Sequence, residues 1–94
     1  MSSLIQRFLQ RDGAIRHRIA TKLDDDFVRQ LFVDEHDFIA KGMSEIMMPD
    51  GESTDDLLKF KREYARLQNR KNAIKEMIDL IDECNKFLTE QANT

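Results

Sequence analysis

A chain of 94 residues, with 35% charged side chains, three glycines and one proline, is typical of one small domain of solvated helices and argues against a β-sandwich or barrel. A chain this short buries only about 60–65% of its unfolded surface, so its hydrophobic core is thin. The single cysteine excludes an internal disulfide and favours a reducing compartment. No apolar run approaches the about 18–20 residues of a membrane span, and residues 1–7 lack the apolar core of a signal peptide. We therefore predict a cytoplasmic protein with no membrane partner.

The net charge of −3 conceals four blocks of alternating sign. Residues 1–23 carry +4, residues 24–58 carry −9, residues 59–75 carry +6 and residues 76–94 carry −4. Blocks of this size predict charges that meet one another on folding or that meet a partner.

The N-terminal segment, residues 1–23, is predicted to be a helical arm. Its apolar residues form two stripes at helical spacing, with Gly13 between them as a break or a tolerated weak point. These stripes are Leu4, Ile5, Phe8 and Leu9, followed by Ile15, Ile19 and Leu23. The arm would either cover another part of the chain or dock on another molecule.

A second helix is predicted over residues 24–48. The run Asp24–Asp26 supplies capping and first-turn acids. Apolar residues follow with mostly helical spacing, and the turn 49–53, which contains Pro49-Asp50-Gly51, ends the helix. The apolar residues are Phe27, Val28, Leu31, Phe32, Phe38, Ile39, Met43, Ile46 and Met47.

The strongest pattern predicts one long helix over residues 54–91. It starts at Thr54, which two acids follow, and neither glycine nor proline occurs after Leu57. Such a helix would be about 57 Å long. Its apolar residues recur three and four apart, with Lys71 and Asn85 as polar interruptions.

The apolar side of this helix widens toward its C-terminus, beyond what one partner helix covers. We therefore predict an all-α fold: an antiparallel helical hairpin with a long C-terminal helix, plus an N-terminal helix. These helices would form a three-helix bundle or an oligomeric bundle. In the hairpin, the acidic second helix would lie against the basic residues 59–75. The residues expected to form a protein interface are Ile74, Met77, Ile78, Ile81, Cys84, Phe87 and Leu88.

The side chains that titrate near neutrality do not form a catalytic pattern. His17 and His36 lack metal-ligand spacing, and the acids around His36 lack the spacing of a calcium loop. Cys84 lies in an apolar row and is expected to pack as a small hydrophobic residue. Since no phosphate-binding loop or nucleophile motif occurs either, we predict no enzyme, no cofactor and no metal.

Two basic clusters make nucleic-acid binding the main alternative. One lies in the N-terminal arm and the other is a stripe on the long helix, which an acidic block within the chain could neutralise. The absence of interleaved aromatic residues and the acidic net charge argue against this function. The arm is the favoured contact, through Arg7, Arg11, Arg16 and Arg18; the stripe consists of Lys59, Arg62, Arg66 and Arg70.

Several segments carry a resemblance to a known class of proteins. Four segments together resemble short helical proteins encoded by tailed bacteriophages. They are Phe27–Phe32, the Pro49–Gly51 turn, Tyr64–Gln68 and Ile74–Ile81. In those proteins an acidic first helix meets a long second helix near its basic middle. The resemblance covers residues 24–83 and implies a role in particle assembly or attachment to a virion component, in the host cytoplasm or the virion. It assigns no site residue.

These patterns predict a non-enzymatic assembly or adaptor protein that acts as a helical oligomer or binds a larger protein. One alternative is a small nucleic-acid-associated regulatory protein that uses the basic arm. Another is an inhibitor that covers a basic site of a host protein with the acidic face at Asp24–Asp37.

Overall fold

The computed structural model describes residues 3–46 and 54–93. Within these ranges the chain forms four α-helices and no strand, which confirms the all-α prediction. None of these helices is both long enough and apolar enough to cross a membrane. The helices are α1 (Ser3–Leu9), α2 (Gly13–Leu23), α3 (Asp26–Glu45) and α4 (Thr54–Ala92).

Aspartates begin two of the helices. The Asp12 carboxylate accepts a hydrogen bond from the Ile15 amide at 2.9 Å and caps α2. The break in the N-terminal arm therefore lies at residues 10–12, and Gly13 is the first residue of α2. At the start of α3, Asp25 accepts from the amides of Phe27 and Val28 at 2.8 and 3.1 Å.

The cap on α3 gives a first prediction. Asp25→Ala should lower the free energy of unfolding by about 1 kcal/mol, because two amides at the helix start lose their acceptor. Asp25→Asn keeps an acceptor and should leave stability nearly unchanged. Urea denaturation followed by circular dichroism measures both, and equal losses in the two variants would contradict the capping role.

The predicted end of the second helix falls only partly within the described residues. Helix α3 ends at Glu45, with Ile46 as its C-cap, three residues before the predicted end at 48. Residues 47–53, including the predicted turn and Met47, lie outside the described ranges.

Helix α4 is the structural axis of the molecule. It continues for 39 residues without a break, and α1, α2 and α3 all pack against it. The molecule measures 63 × 25 × 16 Å, and its radius of gyration is 18.0 Å. A compact domain of this length would have a radius of gyration of about 12 Å. The chain is therefore a rod with little depth for a core.

Polar contacts fix α3 along α4. Arg29 donates to Asp82 through Nε and Nη2 at 2.7 and 3.2 Å, and Arg70 donates to Glu35 at 2.8 Å. Early residues of α3 thus meet late residues of α4. Among the described residues, Arg70–Glu35 is the ion pair that joins the predicted acidic and basic blocks. Because both pairs are partly exposed, they specify register more than they stabilise.

The main core lies near the C-terminal end of α4. Phe8 of α1 and Ala20 of α2 are buried against Leu80 and Cys84 of α4. The ring of Phe8 meets the ring of Phe87 edge to face, with centroids 5.8 Å apart. The helices of the arm thus dock on the same chain's α4. Partly buried side chains complete this cluster: Leu4, Ile19, Leu23, Phe87 and Leu88.

Candidate protein-interaction surfaces

The apolar row predicted as a protein interface lies beneath the other helices. Ile81 and Cys84 are buried, and the remaining five residues are half-buried. Part of the cover comes from α1 and α2, which supply Phe8 and Ala20 to the same cluster as Cys84. Within one chain the row is thus largely occupied, and its use between molecules stays a prediction. The five half-buried residues are Ile74, Met77, Ile78, Phe87 and Leu88.

The thiol of Cys84 is fully buried in this cluster. Burial, with a smaller contribution from the nearby carboxylates of Asp24 and Glu83, raises the pKa of the thiol from 9.0 to about 11. The thiolate is the reactive form of cysteine, so the folded chain keeps this thiol inert near neutral pH.

The raised pKa predicts a stability loss at high pH. The unfolded thiol ionises near pH 9, whereas the folded thiol stays neutral to about pH 11. The stabilisation from the neutral thiol is therefore complete below pH 9 and is lost as the pH rises toward 11. Urea midpoints across this range should fall more steeply for the wild type than for Cys84→Ala. Parallel curves would contradict the prediction, as would a rapid reaction of the native thiol with a disulfide reagent at neutral pH.

The arginines of the N-terminal arm do not form one patch. Arg7 and Arg11 lie together with Gln10 around a shallow cleft of about 260 Å³. Arg16 instead places its guanidinium carbon 5.3 Å from the centre of the Phe87 ring. The Nε atom of Arg16 is buried and has no hydrogen-bond partner among the described residues. Arg18 is exposed. Of the four predicted nucleic-acid contacts, the structure thus brings together two.

The basic residues of α4 are more available than the sequence suggested. Three residues of the predicted stripe are exposed and have no ion-pair partner among the described residues: Lys59, Arg62 and Arg66. These three, without Arg70, are called the basic stripe from here on. Together with Glu63 they line a shallow cleft of about 370 Å³. Of the four basic residues in the predicted stripe, Arg70 is the one that pairs with the acidic helix among the described residues, through Glu35. The basic stripe is therefore a positive surface whose cleft also includes one acid, Glu63.

Helix α3 carries an exposed apolar surface that was not among the predicted interfaces. Phe27, Leu31 and Phe38, here called the outer stripe, are 71, 53 and 74% exposed. At 100° per residue these three positions fall within roughly 40° of one another on the helix, so they form one row. They leave roughly 350–400 Å² of apolar surface in water, which is the size of a functional patch on a monomer.

Acidic side chains accompany this row. Asp34 lies within it, between Leu31 and Phe38, and Asp37 lies beside it; both are exposed. Asp34 accepts a hydrogen bond from Gln30 at 2.7 Å. The outer stripe is thus an apolar row with a negative border.

The signal for the outer stripe was present in the sequence. The residues of α3 that are buried, Ile39 and Met43, lie roughly 100–160° around the helix from Phe27 and Phe38. The apolar residues of this segment belong to two rows, one buried and one exposed, although they read as a single series along the sequence. Separating them on a helical wheel reveals one row more than a single partner helix can cover.

The histidines lie in ordinary polar surroundings. Nδ1 of His17 lies 3.0 Å from the side-chain oxygen of Gln91, which links α2 to the end of α4. Nδ1 of His36 lies 3.4 Å from the carboxylate of Asp37. Among the described residues no group of three or more His, Cys, Asp or Glu side chains is arranged to hold a metal ion.

Comparison of the chain with protein-family models, curated proteins and solved structures found no match.

Proposed function

We propose that this chain is a non-enzymatic assembly protein that self-associates through helix–helix contacts, with α3 and α4 as an antiparallel hairpin. The observation that carries the proposal is the outer stripe. Two phenylalanines and a leucine that are more than half exposed on one helix face are unfavourable in an isolated chain. Burying them against a partner removes that cost.

The accessible surface of the molecule supports association. The chain exposes 7164 Å². A compact monomer of 11.1 kDa would expose about 5,700 Å², so the excess is roughly 1,500 Å². A standard interface takes about 800 Å² from each partner. The rod therefore has enough uncovered surface for specific protein contacts.

The resemblance to phage helical proteins gives this role a setting. We propose that the assembly in question is that of a virus particle, or attachment to one of its components. The acidic border of the outer stripe also suits an inhibitor that covers a basic site of another protein, because opposite charges orient an apolar contact.

Nucleic-acid binding is a second candidate, and the basic stripe favours it. Three exposed cations without ion pairs can contact successive phosphates, and each contact makes binding fall with salt. Titration of random-sequence DNA at low salt tests it. Undetectable binding there removes this candidate.

Sedimentation equilibrium tests the assembly proposal. The wild type should show a mass above 11.1 kDa that rises with concentration. Phe27→Ser/Phe38→Ser should sediment as a monomer with wild-type helicity, because these side chains are exposed within one chain. Leu9→Ser is the matched control, since Leu9 is exposed but lies on α1, and it should associate like the wild type. A wild type that stays at 11.1 kDa at every concentration contradicts the proposal.

A further inference from the structure

We propose that the outer stripe of one copy packs against the basic stripe of a second copy, in a head-to-tail contact between α3 and α4. This inference rests on the proposed function and names the partner of the outer stripe. The partner is a second copy because the chain itself carries the complementary surface.

Charge selects the basic stripe over a contact between two α3 helices. Asp34 lies within the outer stripe, so pairing two such stripes would bring acids together in the contact. The cations of the basic stripe, by contrast, lack ion-pair partners among the described residues. Placing Asp34 and Asp37 of one copy beside Arg62 and Arg66 of the next would pair both sets.

The shape of α4 beside the basic stripe suits large aromatic side chains. Leu58 is 46% exposed, and the small side chain of Ala65 is exposed two turns later. The alkyl stems of arginine and lysine cover apolar surface while their charges stay in water. The rings of Phe27 and Phe38 would therefore meet apolar atoms, and the acids between them would meet cations.

A contact between two different faces has a consequence for growth. A copy that binds one neighbour keeps its other face unused, so a pair retains one free face of each kind and assembly continues until a ring closes or a filament forms. An equal pairing of like faces would stop at a dimer.

Mixing two defective variants tests this geometry. One variant, Phe27→Ser/Phe38→Ser, lacks the outer stripe, and the other, Arg62→Glu/Arg66→Glu, lacks the basic stripe. Each alone should be monomeric, with a Kd for self-association raised at least about tenfold. Mixed together they should form a 1:1 dimer of twice 11.1 kDa, because one intact face of each kind remains.

Charge reversal on the acidic side checks that the acids face the arginines. A third variant, Asp34→Lys/Asp37→Lys, should be monomeric alone. Mixed with Arg62→Glu/Arg66→Glu it should assemble beyond the 1:1 dimer, because the two charge-reversed faces pair as well as the two intact ones. Assembly that stops at a dimer would contradict direct contact between the acids and the arginines. Circular dichroism and thermal melting confirm that every variant is folded, as expected for exposed positions.

The alternative outcomes overturn the inference in different ways. If Arg62→Glu/Arg66→Glu associates like the wild type, the basic stripe is not the partner, although the assembly proposal stands. If that variant keeps wild-type association but loses binding to random-sequence DNA, the basic stripe serves nucleic acid instead. If the wild type is monomeric throughout, both the inference and the proposed function fail.

Discussion

Phe8→Ala is expected to lower the free energy of unfolding by about 3–5 kcal/mol. The Phe8 side chain is only 3% exposed, and its ring packs edge to face on Phe87. Its removal leaves a cavity between α1 and α4, and the thin core has few neighbouring side chains that could fill it. Since a domain of this size has a total stability of about 5–14 kcal/mol, the variant should lose a large part of its stability.

The neighbouring residue provides the control for this experiment. Leu9 belongs to the same helix but is 41% exposed, so Leu9→Ala should cost less than about 1 kcal/mol. Urea denaturation compares the two variants. Equal and small losses would mean that α1 is a free arm and that it does not pack on α4.

Ala73→Pro is expected to destabilise the chain by at least about 3 kcal/mol. Ala73 is exposed in the middle of α4, between the contact of Arg70 with Glu35 and the buried Leu80. Proline at this position removes one backbone hydrogen bond and clashes with the preceding turn. The two halves of α4 would then no longer form one continuous helix.

Ala73→Gly separates this effect from simple helix propensity. It should cost about 1 kcal/mol, because glycine keeps the backbone hydrogen bond. Circular dichroism gives the helicity of both variants, and urea denaturation gives their stability. If proline costs no more than glycine, α4 is divided into two helices near this residue.

The sequence predicted the elements well where local signals were strong. Helix α4 spans Thr54–Ala92 against the predicted 54–91, because Thr54 and its two following acids mark a start and no breaker follows. Helix α3 starts at Asp26, within the predicted run of three aspartates, since Asp25 takes the capping position. These features depend on residues adjacent in sequence, so periodicity and capping suffice to find them.

The partners of each surface were harder to predict. The widening of the apolar side of α4 was visible in the sequence, but whether α1 and α2 or another molecule covered it was not. The answer depends on the break at residues 10–12, which lets α1 and α2 pack separately and bring Phe8 and Ala20 to one cluster. Charge blocks were a weaker guide, because long arginine and lysine side chains can stay solvated at little cost.

Hydroxyl-radical labelling tests most directly whether the outer stripe is the assembly surface. Mass spectrometry measures the oxidation of Phe27 and Phe38 at low and at high protein concentration. We predict that labelling of both rings is high in dilute protein and falls as the mass rises, while the buried Phe8 stays protected throughout. Constant labelling of Phe27 and Phe38 in protein that has associated would contradict the account.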